Sequence, residues 1–267
     1  MEVQVKIAIS GKGGVGKTTI SSMIVRELAS RGRKVLAIDA DPNAGLADAL
    51  GYDSDRMGAI VPLVERKALI EERTGAKPGE SGGYFVLNPK VDDFVSRYSV
   101  DVNGVPTIVM GALKEALSGC YCSENALLRS FLRHLMVERD EWVVLDMEAG
   151  FEHMTRGTAQ SVDLLLVVVE PGERSISTAR KLIELAEHTG IPKTRLVLNK
   201  LHGEEQALAV AGKLGAERVI ERMPFDMEAV SADLSGAMPY EACPELVAKI
   251  RSLVDRLESL TEREKIF

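Results

Sequence analysis

The sequence is poor in cysteine and in aromatic residues. It has three cysteines among 267 residues, and Phe, Trp and Tyr together make up 4%. Three unevenly spaced cysteines cannot form a disulfide framework, which excludes a disulfide-stapled secreted domain and is typical of a cytoplasmic protein. The few aromatic side chains, with abundant Ala, Val, Leu, Ile and Gly, favour packed βα units over a sandwich of antiparallel sheets.

The chain also lacks a long apolar run, a leader-like N-terminus and an excess of basic residues. No stretch reaches the roughly 18 apolar residues that a membrane span needs, and MEVQVKIAIS does not read as a signal peptide. With 33 basic and 40 acidic residues the formal net charge is −7, which argues against binding of DNA by counterion release. We therefore expect a folded cytoplasmic protein without a membrane or nucleic-acid partner.

Short β-rich runs alternate with amphipathic stretches, which predicts an α/β fold. We expect a single domain over residues 1–267 with a doubly wound, mostly parallel sheet and helices on both faces. The charge-rich stretch 53–83, with its PGESGG cluster, is expected to be a partly mobile insertion. The predicted strands are Val3–Ile9, Val35–Ile38, Tyr84–Leu87, Thr107–Met110, Trp142–Leu145, Leu164–Val169 and Leu196–Leu198. The predicted helices lie near 17–31, 123–139, 174–189, 203–214 and 244–261.

The stretch GKGGVGKTT follows a predicted strand and opens a predicted helix, and it matches the phosphate-loop pattern G-x-x-x-x-G-K-[ST]. Glycines let backbone N–H groups curl around phosphate oxygens, and the helix N-terminus adds a favourable potential. The fold is therefore expected to be that of a P-loop NTPase. Lys17 is expected to reach the β- and γ-phosphates, Thr18 to hold Mg²⁺ and Thr19 to contact the α-phosphate. The nucleotide-binding residues predicted here are Gly11, Gly13, Gly14, Val15, Gly16, Lys17, Thr18 and Thr19.

Carboxylates end two of the predicted strands. In IDADPN, Asp41 is placed to orient an attacking water, and Asp39 to support it through the metal shell, unless one of the two caps the following turn. In WVVLDMEAG, Asp146 has the place of a carboxylate behind Mg²⁺, and Gly150 that of a backbone sensor of the γ-phosphate. His153 in the same loop is interpreted as a structural group.

Lys12, directly after the first glycine of the loop, marks a variant of the phosphate loop. This variant resembles that of the family that includes the chromosome- and septum-positioning ATPases, the nitrogenase iron protein and the arsenite-pump ATPase. The resemblance implies that Lys12 reaches across a dimer interface to the partner's phosphates and, with Lys17 and Asp41, takes part in catalysis. It also places the family's aspartate of the first switch loop on Asp41.

The base-binding end follows from the same resemblance. Asn199 in LVLNK resembles the asparagine that reads adenine, since its amide offers both a donor and an acceptor. Lys200 next to it is predicted to be a further nucleotide-binding residue. It is not followed by the aspartate that reads guanine, so ATP is favoured over GTP. MPFD, with Pro224, resembles the segment that contacts adenine through its backbone.

Two of the three cysteines stand one residue apart in SGCYC. Cys120 and Cys122 precede a predicted helix with Ser123 as its N-cap, a setting that favours thiolate. Two thiolates are too few for Zn²⁺ or Ni²⁺, but a two-fold dimer repeats the pair and supplies four. We therefore predict a metal turn at 118–124, shared between subunits. Cys243 is interpreted as structural.

With the variant loop, DMEAGFEHMTRGTA and GCYCSENALLR, the chain resembles the ATP-dependent maturation factors of carbon monoxide dehydrogenase and acetyl-CoA synthase. The resemblance implies a homodimeric, Mg²⁺-dependent ATPase that binds Ni²⁺ or Zn²⁺ at the paired cysteines. Such a protein would assist nickel insertion into one of these two enzymes.

Two alternatives belong to other functional classes. A partition or septum-positioning ATPase would act on DNA or membrane, but the apolar stripe of the C-terminal segment is accompanied by equal numbers of acidic and basic residues, which favours a core helix. An electron-transfer protein with a bridging iron–sulfur cluster uses well-separated cysteines, which C-x-C does not match.

Overall fold

One mostly parallel sheet organises the chain. The computed structural model describes residues 5–53, 55, 58–78, 84–111, 122–138, 141–148 and 162–262. Its strands are β1 Lys6–Ser10, β2 Val35–Asp39, β3 Val100–Val102, β4 Val105–Val109, β5 Trp142–Asp146, β6 Leu164–Val169, β7 Thr194–Leu201 and β8 Val219–Pro224. They form an eight-stranded sheet in the order β3-β4-β2-β5-β1-β6-β7-β8.

Helices cover both faces of this sheet. They are α1 Lys17–Ser30, α2 Leu46–Ala49, α3 Lys67–Thr74, α4 Phe94–Tyr98, α5 Cys122–Glu138, α6 Glu173–Thr189, α7 Glu204–Leu214, α8 Met227–Ser235, α9 Pro239–Ala242 and α10 Pro244–Glu262. Turns of 3₁₀ helix occupy Leu63–Glu65 and Ala216–Arg218. One core layer joins the sheet to α5, α6 and α7, and a second joins it to α1 and α10. The prediction of a doubly wound α/β fold is confirmed.

The sheet is parallel except at one edge, where β3 and β4 form an antiparallel hairpin. β1 lies between β5 and β6, and all three are buried along their whole length because both faces carry apolar side chains. The chain winds outward in both directions from β1. In such sheets ligands bind beyond the carboxyl ends of the strands, at the place where the winding reverses.

The predicted helices and six of the seven predicted strands are present, with ends that differ by a few residues. The predicted strand Tyr84–Leu87 is wrong: this segment is not a strand, and Tyr84 and Leu87 are exposed. The edge of the sheet beside β4 is occupied by β3, which turns back through Asn103 and Gly104, both with positive φ. β3 and β8 were not predicted; β8 carries Glu221 and Arg222, which interrupt its apolar pattern.

Part of the stretch 53–83 packs against the core. Leu63 in the 3₁₀ turn and Leu69 and Ile70 in α3 are buried in the same apolar layer as α5. Val64 N–H donates to the carbonyl of Met110 at 3.1 Å, which joins this segment to the end of β4. Residues 54, 56–57 and 79–83 lie outside the described residues.

Helix α10 packs on the sheet through the apolar stripe seen in the sequence. Leu246, Ile250, Leu253 and Leu257 are each at most 5% exposed, and they lie in the same apolar layer as α1. The interpretation of this segment as a core helix is confirmed. None of the helices in the described part of the chain is long and apolar enough to cross a membrane.

Shortening one side chain of this stripe tests how much α10 contributes to stability. Leu253→Ala should lower the free energy of unfolding by about 2–5 kcal/mol, since a fully buried leucine is truncated and leaves a cavity. Urea denaturation followed by circular dichroism measures the change. Ser259→Ala, on the exposed side of the same helix, is the control and should stay within about 0.5 kcal/mol of the original protein. Equal stability of the two variants would contradict a core role for α10.

Candidate nucleotide site

A cavity of about 440 Å³ lies beyond the carboxyl end of β1, at the place where the winding of the sheet reverses. Its size and its mixture of backbone, charged and apolar groups suit a small-molecule ligand. The polar end is formed by Gly13, Gly14, Gly16, Lys17, Thr18, Thr19, Asp41, Asn43 and Glu148. The opposite end includes Asn199, Lys200, Met223, Pro224, Phe225 and Asp226.

The phosphate loop connects β1 to α1 and is packed too tightly for side chains at two of its glycines. A Cβ on Gly11 would lie 2.4 Å from the carbonyl oxygen of Val168 in β6. A Cβ on Gly16, whose φ is 94°, would lie 2.5 Å from Asn199 Nδ2 in β7. Val15 between them is completely buried and anchors the loop. The loop therefore needs glycine at these positions for close packing as well as for its backbone conformation.

Two side chains from the end of β7 hold the loop in place. Asn199 Nδ2 donates to the carbonyl of Val15 at 2.8 Å, and Lys200 Nζ donates to the carbonyl of Gly14 at 2.6 Å. Lys200 itself has a φ of 57°, at a break in the pairing of β7 with β8. Both side chains line the cavity, as the sequence predicted, and their bonds to the loop are a contact that the sequence did not reveal.

Lys17 and Asp41 come together at the polar end of the cavity. Lys17 is 6% exposed, and its Nζ lies 3.9 Å from Asp41 Oδ2. The same ammonium donates to the carbonyl of Lys12 at 3.5 Å. The other oxygen of Asp41 accepts from the N–H of Asn43 at 2.9 Å, which fixes the carboxylate at the entrance of this loop.

Asp39 has a different role from Asp41. Its carboxylate accepts backbone N–H groups of Asp41 at 3.1 Å and of Gly45 and Leu46 at 2.9 Å each. Burial raises the pKa of Asp39, and these three hydrogen bonds oppose the rise. Asp39 thus caps the turn after β2, the alternative that the sequence left open for one of the two carboxylates.

Asp146 is fully buried at the end of β5. Its Oδ1 accepts from Ser21 Oγ at 3.2 Å, while its Oδ2 has no hydrogen-bond partner in the described part of the chain. Burial raises the pKa of this carboxyl to about 6, and the nearby hydroxyl of Thr18 opposes the rise. A buried carboxylate oxygen without a partner, next to a hydroxyl group, fits the oxygen ligands that Mg²⁺ requires. Thr18 and Asp146 are thus the residues suited to Mg²⁺, directly or through its water.

Lys12 lies at the outside of the loop, 36% exposed. Its Nζ is 3.5 Å from Glu170 Oε1, and Lys200 Nζ is 3.8 Å from the other oxygen of Glu170. Lys12 is not among the residues that line the cavity of its own subunit. Glu170 directly follows β6 and was not singled out in the sequence.

An aromatic pair closes the far end of the cavity. The rings of His202 and Phe225 stack with centroids 4.8 Å apart and an interplanar angle of 26°. Phe225 lies between Pro224 and Asp226, which also line the cavity. The MPFD motif pointed to this end, whereas His202 gave no signal because its partner is 23 positions away in the printed sequence.

The predicted metal turn falls mainly on residues that the structure does not describe. Cys120, Gly150 and His153 lie outside the described residues, and of Cys122 only its place as the first residue of α5 is described. Because α5 begins at Cys122, the prediction of Ser123 as N-cap is wrong; Ser123 lies in the first turn. Among the described residues no group of three or more His, Cys, Asp and Glu side chains is arranged to hold a metal ion.

Replacing Asp146 tests the cost of its burial. The ordinary pKa of an aspartate is 3.8 and that of Asp146 is about 6, so its ionised form destabilises the fold above pH 6, and this cost vanishes as the pH falls towards 3.8. Asp146→Asn should therefore raise the free energy of unfolding of the nucleotide-free protein at pH 7.5 by up to about 3 kcal/mol. The gain should shrink as the pH falls from 6 to 4.

Urea denaturation from pH 4 to 8, without Mg²⁺, measures this difference. Asp92→Asn, an exposed aspartate outside the cavity, is the matched control and should give no pH-dependent gain. The assigned cost of burying ionised Asp146 is wrong if Asp146→Asn gains no free energy of unfolding at pH 7.5, or gains the same amount at every pH from 4 to 8.

Comparison with known proteins agrees with this geometry. Residues 6–240 match the CobQ/CobB/MinD/ParA nucleotide binding domain family. The chain is 42% identical over 252 residues to the carbon monoxide dehydrogenase accessory protein CooC of Rhodospirillum rubrum, with 94% of this chain and 95% of that protein covered. It is also 42% identical over 262 residues to an uncharacterized ATP-binding protein of Methanocaldococcus jannaschii, covering 96% and 100% of the two chains.

The fold has a solved counterpart in the MinC:MinD cell division protein complex of Aquifex aeolicus. The TM-score is 0.67 at 20% identity, with 96% of each chain covered. The family match spans the phosphate loop, both carboxylate-bearing strands and the end of the cavity that includes Asn199 and Pro224. The chain therefore belongs to the CobQ/CobB/MinD/ParA nucleotide-binding family of P-loop ATPases.

Proposed function

We propose that the protein is a homodimeric, ATP-dependent metallochaperone that assists nickel insertion into carbon monoxide dehydrogenase or acetyl-CoA synthase. The observation that carries the proposal is the 42% identity over nearly the whole chain to a protein named as an accessory to carbon monoxide dehydrogenase. The C-x-C pair, Cys120 and Cys122, supplies soft ligands suited to Ni²⁺ or Zn²⁺ as the cargo. The compartment proposed is the cytoplasm, where such thiols stay reduced.

Within the site, each side chain is assigned a role from its place in the cavity. The glycines of the loop direct N–H groups at the phosphates, Lys17 holds the β- and γ-phosphates and Thr19 the α-phosphate. Mg²⁺, when bound, neutralises charge on the phosphates, and Thr18 and Asp146 are the residues placed to hold it. Asp41, beside the Lys17 ammonium, is placed to orient the attacking water. Lys12, outside its own cavity, contacts the phosphates bound by the partner subunit.

ATP binding and metal binding are coupled in this proposal through the dimer. The closed dimer, held by Lys12 contacts across the interface, brings two C-x-C pairs together to complete a four-thiolate site. Hydrolysis removes the γ-phosphate and weakens that closed state. Because the two ligands favour the same state, each must raise the affinity for the other by the same factor.

A partition or septum-positioning function is the second candidate, favoured by the MinD-like fold. Against it, the apolar stripe of α10 is buried on the sheet and is not available for a membrane surface. Co-sedimentation with anionic liposomes or DNA in the presence of ATP would support this candidate.

Removing the amide of Asn199 tests base recognition. Asn199→Ala should weaken ATP binding about tenfold more than GTP binding, because a hydrogen bond to the base is worth roughly 1–1.5 kcal/mol, whereas loss of the bond to the Val15 carbonyl affects both nucleotides. Calorimetric titration of both nucleotides provides the measurement, with GTP as the internal control. An equal loss for both would mean that Asn199 acts only by holding the Val15 carbonyl.

Removing the paired thiols tests the metal site. Cys120→Ala/Cys122→Ala should lose bound Ni²⁺ or Zn²⁺ and keep ATP affinity, since neither cysteine is part of the phosphate loop. Anaerobic size-exclusion chromatography with light scattering and metal analysis, with and without ATP and Mg²⁺, should give one metal per dimer for the original protein. Cys243→Ala, which removes the buried third thiol, is the control and should keep the metal. Stoichiometric metal on the double variant would overturn the assignment of the site.

A further inference from the structure

Glu170 stands at a fixed point beside the phosphate loop. It directly follows β6, all six residues of which are buried, and its backbone N–H donates to Ser175 Oγ at 3.1 Å. Ser175, in the first turn of α6, is 2% exposed. The Gly11 end of the loop is packed against Val168, two residues before Glu170. The carboxylate therefore extends from rigid backbone, close to the loop that it contacts.

Two ammonium groups of the site share this carboxylate. Lys12 Nζ lies 3.5 Å from Oε1 and Lys200 Nζ 3.8 Å from Oε2. Lys200 also donates a hydrogen bond to the carbonyl of Gly14, which holds its ammonium at the phosphate loop. Within the described residues, the ammonium of Lys12 makes one other hydrogen bond, to the carbonyl of the adjacent Gly13 at 3.3 Å. Within the described residues, Glu170 is thus the only acidic group paired with Lys12.

We propose that Glu170 is a positioning residue that holds Lys12 on its own subunit until a nucleotide triphosphate on the partner subunit draws it away. The inference rests on the proposed function, in which Lys12 contacts the partner's phosphates. In this proposal the partner's phosphates lie across the interface, away from Glu170, so the Lys12 ammonium leaves the carboxylate when it reaches them. A triphosphate carries more negative charge than a diphosphate and competes better with one carboxylate. Glu170 thereby makes closure depend more strongly on the γ-phosphate.

Glu170 does not line the nucleotide cavity, which separates its effect from nucleotide binding itself. Neutralising it should therefore favour the dimer and leave binding of ADP to the monomer unchanged. Measuring both the dissociation constant of the dimer and the affinity of the monomer for ADP distinguishes release of Lys12 from a general change of charge near the site.

Glu170→Gln should lower the dissociation constant of the dimer with a slowly hydrolysed ATP analogue and Mg²⁺ by roughly two- to fivefold, the range expected for a partly exposed ion pair. Analytical ultracentrifugation at low and high salt gives the constant, and the gain should diminish at high salt. Glu184→Gln, which removes the same charge from an exposed position of α6, is the matched control and should not change it. A dimer of Glu170→Gln no tighter than that of the control would overturn the inference.

A double-mutant cycle separates this inference from the proposed function. Lys12→Ala should weaken the ATP-dependent dimer, and Glu170→Gln should have no further effect in that background. If Lys12→Ala dimerises like the original protein, the proposed contact across the interface is wrong. If Lys12→Ala weakens the dimer but Glu170→Gln strengthens it equally with and without Lys12, the proposed contact stands and the positioning role of Glu170 is refuted.

Discussion

The nucleotide site depends on how closely the phosphate loop is packed onto the ends of β6 and β7. No Cβ fits at Gly11 or Gly16, because β6 and the side chain of Asn199 occupy that space. The loop is thereby held by its packing as well as by its own turns. Asn199 both lines the cavity and donates to the Val15 carbonyl, so one side chain belongs to the far end of the cavity and also contacts the phosphate loop. A shift of the end of β7 would change both ends together.

The register of β2 with β5 places two buried carboxylates next to each other. Asp39 and Asp146 are paired residues of β2 and β5, at the carboxyl end of the sheet. Three backbone N–H groups satisfy Asp39, whereas one oxygen of Asp146 has no partner among the described residues. Burying a charge without compensation is costly, so the two residues differ physically: Asp39 stabilises a turn, whereas the oxygen of Asp146 that lacks a partner is suited to a cation.

The sequence predicted those parts of the fold that depend on local pattern. The phosphate loop, the buried central strands and α10 all follow from residue spacing, because burial on one or both faces imposes a period. Edge elements were harder to predict. Tyr84–Leu87 has the composition of a strand but pairs with no strand of the described sheet, and the N–H of Val86 donates to the carbonyl of Thr74 instead. β8 forms despite Glu221 and Arg222. The contacts of Glu170 with Lys12 and of His202 with Phe225 join different elements, and no single stretch of sequence contains them.

A chain of backbone contacts connects the nucleotide site to the segment that leads to the paired cysteines. The carbonyl of Asp39, at the end of β2, accepts the N–H of Met110 at 2.8 Å, and the carbonyl of Met110 accepts that of Val64 at 3.1 Å. Gly111 follows at once, packed so closely on Val64 that a Cβ would lie 2.4 Å from it.

The stretch 112–121 therefore leaves from a point fixed to the end of β2. It is followed by α5, which is anchored in the core by Leu128, Phe131 and Leu135. The described residues on each side of positions 112–121 thus belong to segments that pack on the sheet. In the proposed function, a displacement of the Asp39–Asp41 turn when nucleotide binds would be carried by these hydrogen bonds to Gly111, while α5 stays anchored in the core. Nucleotide binding would then act on one of the two segments that flank residues 112–121 and not on the other.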